Sequence, residues 1–88
     1  MAVNEKERDD ITFEIANHIG VISVYPTGWK KEINVVSWNG ASKKIDIRDW
    51  DVDHERMSRG VTFHPDEAKK VRELLNSIDI DKITKGDS

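Results

Sequence analysis

Tryptophans and basic side chains alternate with aliphatic ones in two neighbouring segments, Trp29–Trp38 and Lys43–Trp50. In an extended strand, successive side chains point to opposite faces, so residues of like parity share a face. If the aliphatic odd positions pack inward, the even positions form an outward face that presents Lys30, Asn34, Trp38, Lys44, Arg48 and Trp50. Indole rings stack on unpaired bases, and lysines and arginines neutralise phosphates. This pattern is typical of a surface that binds single-stranded nucleic acid, because a duplex offers no unstacked base faces.

The same residues allow two simpler interpretations, which the sequence leaves open. Trp38 and Trp50 are also compatible with burial in a core or in a dimer interface, since tryptophan is highly buried on average. The cations are also compatible with an ordinary solvated face, and Glu32 and Asp46 lower its positive charge unless each orients a neighbouring cation. Trp29 shares odd parity with the aliphatic positions, which predicts that it lies in the core.

The net charge of the chain does not by itself favour a nucleic-acid ligand. The 88 residues carry 14 basic and 17 acidic side chains, which gives a formal net charge of −3. Within residues 29–48, however, there are five bases and two acids. Because salt screens charges beyond roughly 10 Å at moderate ionic strength, the local balance determines the field at a surface. A basic face is therefore compatible with an acidic chain.

Three aspartates at alternating positions, Asp49, Asp51 and Asp53, match the start of a calcium-binding loop. The match ends there, because His54 stands where that loop requires glycine and Gly60 stands where it requires a bidentate glutamate. We therefore expect no metal ion in this segment.

Catalytic chemistry is not indicated elsewhere in the sequence. His18, His54 and His64 are far apart and lack a metal-ligand spacing, so we expect His54 in a solvated loop and His64 at a helix cap. The serines lie in no nucleophile motif, no glycine-rich phosphate loop is present, and the chain has no cysteine. The expectation is a protein that is not an enzyme and that holds no cofactor.

Turn signals divide the first two thirds of the chain into four predicted strands. Asn39-Gly40 is a strong hairpin signal, since both residues tolerate positive φ, and Pro26-Thr27-Gly28 marks an earlier turn. The predicted strands cover 11–25, 29–38, 43–50 and 61–63, with a polar loop over 51–60. The two central strands are expected to pair as a hairpin.

An amphipathic helix is predicted after the last strand. Pro65 suits the first helical position, and Asp66 and Glu67 suit the positive end of the helix dipole. Apolar residues then recur every three or four positions, at Ala68, Val71, Leu74, Leu75 and Ile78. Four strands followed by a helix predict an α+β fold with an antiparallel sheet.

The length corresponds to one small domain. Flexible tails are predicted at 1–10 and 79–88, around a packed domain at 11–78. A core of that size is thin, which makes a homodimer a reasonable expectation. The sequence contains no secretory signal and no apolar run long enough to span a bilayer. We therefore expect a cytoplasmic protein without membrane contact, associated with the nucleoid if the source is bacterial.

Three segments together resemble a known family. The segments IDIRDW at 45–50, RGVTF at 59–63 and HPDE at 64–67 are similar to the C-terminal domain of the transcriptional coactivator positive cofactor four. The run from Gly28 to Asn39, together with Asp53 to Met57, more closely resembles the small bacterial relatives of the YdbC type. The resemblance covers about residues 12–78, nearly all of the chain that can pack.

The resemblance implies a curved four-stranded antiparallel sheet followed by one C-terminal helix, with a homodimer formed largely through that helix. It also implies grooves that bind single-stranded DNA with little sequence preference. By similarity, the contacting residues are Lys30 or Lys31, Trp38, Arg48 and Trp50, with Lys43 and Lys44 following the turn. This set agrees with the outward face derived from parity.

We therefore predict a binding module for single-stranded DNA that serves transcription regulation or DNA maintenance. The predicted nucleic-acid contacts are Lys30, Lys31, Asn34, Trp38, Lys43, Lys44, Arg48, Trp50 and Arg59. The alternatives are a protein-interaction module that docks a partner of the transcription machinery, and an RNA-binding protein, which the sequence does not distinguish from a DNA-binding one.

Overall fold

A sheet of four antiparallel strands followed by a helix forms the described part of the chain. The computed structural model describes residues 12–85. The strands are β1 (Phe13–Val24), β2 (Lys30–Trp38), β3 (Lys43–Trp50) and β4 (Met57–Phe63), and the helices are α1 (Pro65–Asn76) and α2 (Ile80–Thr84). Each strand pairs antiparallel with the next, in the order β1-β2-β3-β4. The predicted α+β fold is confirmed.

The central hairpin turns at Asn39-Gly40, as predicted. Both residues have positive φ, 51° at Asn39 and 76° at Gly40, which is the backbone geometry of a tight hairpin turn. The backbone N–H of Ala41 donates to the Trp38 carbonyl oxygen at 2.8 Å and closes the turn. Even positions of β2 lie opposite even positions of β3, so both strands contribute them to one face.

The fourth strand begins at Met57, earlier than the predicted start at Val61. The Asp51 side chain makes the preceding loop compact, because its Oδ1 accepts hydrogen bonds from the backbone N–H groups of Glu55 and Arg56 at 2.8 and 3.1 Å. The chain therefore re-enters the sheet early. The polar run that opens β4 lacks alternating apolar residues, which is why the sequence pattern did not predict it as strand.

β1 bends strongly, which curves the sheet. Its pairing with β2 shifts register at three places, between residues 15 and 17, 18 and 20, and 21 and 23. Bulges of this kind bend a strand and increase its twist. Phe13, at the start of β1, lies with its ring centroid 5.9 Å from that of Trp38 and 5.1 Å from that of Trp50. The even face of β2 and β3 is therefore the concave face.

The middle of the concave face is buried, contrary to the prediction that the even positions point outward. The side chains on it that are at most 2% exposed are Glu32, Asn34, Val36, Asp46 and Trp50. Parity groups these residues correctly on one face, but it does not reveal which face a curved sheet turns toward itself. The predicted exposure of Asn34 and Trp50 is wrong for that reason.

The opposite, convex face carries the aliphatic odd positions and faces α1. These half-buried residues are Ile33, Val35, Ile45 and Ile47. A cleft of about 420 Å³ remains between this face and the α1 side chains Val71 and Leu75, and α1 has no fully buried residue. Leu74, Leu75 and Ile78 are exposed. The helix α1 lies over the predicted face of the sheet, but within residues 12–85 its side chains do not fill the cleft beneath it.

The two flexible tails, 1–10 and 79–88, stay predictions. The N-terminal tail, 1–10, lies outside the described residues. In the C-terminal one, 79–88, the short helix α2 begins after Asp79, whose side chain accepts a hydrogen bond from the backbone N–H of Lys82 at 3.1 Å. This helix was not predicted, because so few residues show no helical periodicity. Neither helix between residues 12 and 85 is long and apolar enough to cross a membrane.

Candidate nucleic-acid interface

An open groove lies at the rim of the concave face, where the β2–β3 turn meets the start of α1. It has a volume of about 690 Å³ and is lined by Trp38, Asn39, Lys44, Arg48, Met57, Thr62 and His64. Trp38, Lys44 and Arg48 were predicted as nucleic-acid contacts, and the structure brings these three together. An aromatic ring, cations and polar groups therefore share one open surface, which suits an anionic chain with flat bases.

Trp38 ends β2 and is half-buried in the wall of the groove. The Arg48 guanidinium lies 4.7 Å from the centroid of its ring, and the tilted Phe13 ring lies on it at 5.9 Å. The indole N–H has no hydrogen-bond partner among residues 12–85, an unsatisfied donor of the kind that requires an explanation. A ring held by an arginine and a phenylalanine is a pre-organised platform for stacking.

Arg48 is fixed by hydrogen bonds that leave it little freedom. Its Nε and Nη2 each donate to the Asp46 carboxylate at 2.7 Å, and its Nη1 donates to the Ser58 carbonyl oxygen at 3.2 Å. The Asp46 side chain is fully buried and the Arg48 side chain is 13% exposed. Such a bidentate pair neutralises the guanidinium charge, so Arg48 supports the indole ring more than it attracts phosphate. The suggestion that Asp46 orients a neighbouring cation is confirmed.

Gly60 of β4 gives Arg48 the room it needs. The two residues lie opposite each other in the pairing of β3 with β4. A methyl group at position 60 would overlap the Cβ of Arg48 and lie 2.5 Å from the Ile47 carbonyl oxygen. Glycine inside a strand often marks such a close approach, and here it lets the arginine side chain pass across β4.

Trp50 lies beneath the concave surface. Its side chain is 0% exposed, with the Phe13 ring 5.1 Å away and the His54 ring 5.5 Å away. A ring in this position belongs to the core and does not present a face to a base. Of the two interpretations that the sequence left open for Trp50, the structure supports burial.

A buried carboxylate lies on the same face. Glu32 is 2% exposed, its two oxygens each lie 3.0 Å from Nε2 of His54, and Asn34 Nδ2 donates to Oε1 at 3.1 Å. His18 Nδ1 lies 3.7 Å from the same oxygen. Burial raises the pKa of Glu32, but the hydrogen bonds from Asn34 and His54 and the electrostatic attraction of His54 and His18 outweigh it, so the pKa lies below its ordinary value.

His54 was expected in a solvated loop, and the structure instead ties it to the sheet. It has a φ of 60° and is 40% exposed, with its ring bridging Glu32 and Trp50. No spacing rule connects residues so far apart in the sequence, so this contact carried no signal. The contacts of His54 with Glu32 and Trp50 thus hold the β3–β4 loop against the concave face.

Lys31 and Trp29 lie on the convex side, away from the groove. Lys31 Nζ donates to Asp49 Oδ1 at 3.2 Å and lies 5.8 Å from the Tyr25 ring centroid. Hydrogen bonding to Tyr25 and to Asp49 raises the pKa of Lys31, which keeps it charged. Trp29, predicted in the core, is half-buried beside Tyr25 in an open depression. Lys31 is therefore not on the face that carries Trp38.

The remaining predicted contacts do not line the groove. Lys30 is exposed on the concave side beside a smaller cleft of about 230 Å³. Lys43 is exposed near the turn on the convex side, and Arg59 is exposed on β4. Asn34 is fully buried, and its side-chain oxygen accepts a hydrogen bond from His18 Nδ1 at 2.7 Å, so it has a structural role.

The groove also contains residues that the sequence analysis did not predict as contacts, namely Asn39, Met57, Thr62 and His64. The Thr62 hydroxyl donates to Asp46 at 2.8 Å, on the same face as Arg48. Thr62 lies in the predicted strand 61–63, but its pairing opposite Asp46 had no signal in the sequence. The backbone N–H of His64 donates to the Glu67 carboxylate at 2.9 Å, which confirms the predicted helix cap.

Comparison with known sequences shows that the whole groove lies within the part of the chain that matches a known family. The family model described as Transcriptional Coactivator p15 (PC4) matches residues 25–74. This range includes every residue that lines the groove, whereas β1 and α2 lie outside it. An uncharacterized protein of Treponema pallidum (strain Nichols) is 39% identical over 83 residues, which cover 90% of this chain and 98% of that protein.

Proposed function

We propose that this chain, which belongs to the Transcriptional Coactivator p15 (PC4) family, binds single-stranded DNA in the groove around Trp38. The family is one of non-enzymatic DNA-binding and coactivator proteins, which supports a function of this kind. The observation that carries the proposal is the half-buried Trp38 ring, fixed by Arg48 beside Lys44 in an open groove. A base stacks on the ring while Lys44 contacts a neighbouring phosphate. The process that this binding serves is transcription regulation or DNA maintenance.

The chemistry of the groove favours single strands and offers few means of reading sequence. Every base has a π-face, so stacking on Trp38 accepts all four bases, whereas a duplex hides those faces. The Asn39 side-chain oxygen already accepts a hydrogen bond from the Thr12 backbone N–H at 2.8 Å, and the Thr62 hydroxyl already donates to Asp46. With these polar groups committed within the protein, we expect little sequence preference.

A labelled oligo-dT of about 20 bases, followed by fluorescence anisotropy, tests this proposal. We expect binding that weakens with salt, and competition by unlabelled single strand but not by a duplex of equal length. If about four phosphates are neutralised, log affinity falls with log salt at a slope near −3. Stronger competition by oligo-U would reassign the ligand to RNA. Weak binding that does not distinguish single strands from duplex would instead favour a protein-interaction module.

The protein is further proposed to act as a homodimer joined through α1 and the convex face. Within the described residues, Leu74 and Leu75 of α1 and Ile78 just after it are exposed, and Leu75 borders the unfilled cleft of about 420 Å³. Contiguous apolar surface of this kind commonly marks an interface. A second copy presents the same surface, so a two-fold contact covers both at once.

Sedimentation equilibrium at micromolar concentration tests the dimer. We expect twice the chain mass of 10.1 kDa for the wild type and a shift toward the monomer for Leu75→Asp. Lys70→Asp is the matched control, because Lys70 is exposed on the same helix and its ion-pair partner there is Glu73, at 3.2 Å. A monomeric wild type would contradict the proposed dimer.

A further inference from the structure

A second basic surface lies on the convex side of the turn, outside the groove. It is a cleft of about 370 Å³ between the start of β3 and α1, and we call it the helix cleft. Its cations are Lys43, Lys44, Lys69 and Arg72, and its apolar floor includes Val35 and Ile45. Lys69 and Arg72 come from the helix, where the sequence analysis predicted no ligand contacts.

The charge of the helix cleft is not compensated by the chain itself. No acidic residue lines it, and none of its four cationic side chains has a hydrogen-bond or ion-pair partner among residues 12–85. Two of the three acids of α1 are engaged elsewhere, since Glu67 accepts from the His64 backbone N–H and Glu73 pairs with Lys70. Four unpaired cations around an apolar floor suit an anionic ligand with flat apolar parts.

The helix cleft and the groove adjoin each other at Lys44. Lys44 lines both of them. The consecutive residues His64 and Pro65 line one each, His64 the groove and Pro65 the helix cleft. A ligand in the groove that extends past Lys44 can therefore reach the helix cleft.

We propose that a single strand bound at Trp38 continues past Lys44 into the helix cleft, where Lys43, Lys69 and Arg72 contact its phosphates. This inference rests on the proposed function and assigns to α1 a part in the same binding site. This adjacency favours nucleic acid over an acidic protein, because an anionic chain anchored in the groove already lies at Lys44. The expected consequence is that affinity depends on strand length.

The double variant Lys69→Gln/Arg72→Gln, assayed with a short and a long oligo-dT, tests the inference. For a strand of about 20 bases we expect about tenfold weaker binding and a salt slope shallower by about 1.4, since each phosphate contact contributes about 0.7 on single strands. For a strand of about five bases, which occupies the groove alone, affinity should stay within about twofold of wild type.

Lys70→Gln/Lys82→Gln is the matched control, because it removes the same charge from exposed positions that do not line the cleft. Its binding to the long strand should stay close to that of wild type. Arg72 also borders the space between helix and sheet, so both variants must sediment like wild type. If only the Lys69→Gln/Arg72→Gln variant shifts toward the monomer, its weaker binding results from loss of the dimer, and the inference fails.

Four other results overturn the inference. Equal losses in the two double variants would show a general field effect, and equal losses on short and long strands would show no extension beyond the groove. Unchanged binding of the long strand, together with lost binding of a poly-glutamate peptide, would assign the cleft to an acidic protein. If wild-type protein bound neither strand, the proposed function would fail and this inference with it.

Discussion

Trp38 and Trp50 have the same residue type and the same parity, yet the structure gives them different environments. Trp38 ends its strand at the rim of the concave face, whereas Trp50 is covered by Phe13 and His54. The sequence predicted that the two share a face, because that follows from alternation alone. It could not predict which ring is covered, since this depends on the bulges of β1 and on the β3–β4 loop, and neither has a periodic signal.

Replacing Trp50 should therefore lower the stability of the fold and change ligand binding only through that loss. Trp50→Ala removes a fully buried ring, and we expect the free energy of unfolding to fall by about 3–5 kcal/mol. Trp29→Ala removes a half-buried ring and should cost less than half as much. Urea unfolding followed by circular dichroism compares the two variants. Equal losses would mean that Trp50 is not the core residue described.

Glu32 should make stability depend on pH in the acid range. Its folded-state pKa lies below the ordinary value of 4.5, so its stabilising contribution is present above pH 4.5 and is lost as the pH falls toward the folded-state pKa. We expect Glu32→Gln to be less stable than wild type at neutral pH and the difference to shrink below pH 4.5. Unfolding titrations at several pH values measure it.

Glu14→Gln is the control for that series, because Glu14 is an exposed glutamate of β1. Its difference from wild type should stay small at every pH. A Glu32→Gln difference that grows as the solution becomes more acidic would have the wrong sign and would argue against a stabilising carboxylate.

At the scale of the elements, β4 matters because it holds Arg48 in place beneath Trp38. Gly60→Ala puts a methyl group against the Cβ of Arg48 and the Ile47 carbonyl oxygen, and overpacking of this kind typically costs about 1–3 kcal/mol. We expect lower stability and weaker binding of single strands, since β4 must shift away from the arginine. Thermal unfolding measures the stability, and fluorescence anisotropy measures the binding of the single strand.

Gly20→Ala is the matched control, because Gly20 also lies within a strand but a Cβ there meets nothing within 4 Å. It should unfold within about 1 kcal/mol of wild type and bind as wild type does. If the two alanine variants behaved alike, Gly60 would not be the residue that makes room for Arg48.

The strands and helix differ in how far the sequence predicts them. The hairpin at Asn39-Gly40 and the start of α1 at Pro65 have local chemical signals, positive φ in one and a helix cap in the other, and both were predicted correctly. The first residues of β4 and the short α2 have no such signal. Their positions follow from pairing with β3 and from the Asp79 cap, which only the folded chain reveals.

For the whole molecule, the structure explains how a chain of net charge −3 can carry a basic surface. Asp46 is buried against Arg48 and Asp49 pairs with Lys31, whereas Lys44 lines both the groove and the helix cleft without an acidic partner among residues 12–85. Composition cannot reveal this, because it counts paired and unpaired charges alike. Unpaired cations and the half-buried Trp38 thus lie together at one rim of the sheet.

Tryptophan fluorescence during titration with oligo-dT tests the central claim most directly, when wild type is compared with Trp38→Phe and Trp29→Phe. Phenylalanine still stacks on bases, so both variants should bind and only the reporting ring changes. We predict that the single strand quenches wild type and Trp29→Phe alike and that Trp38→Phe loses the quenching. Undiminished quenching in Trp38→Phe would show that the bases stack elsewhere and would contradict the account.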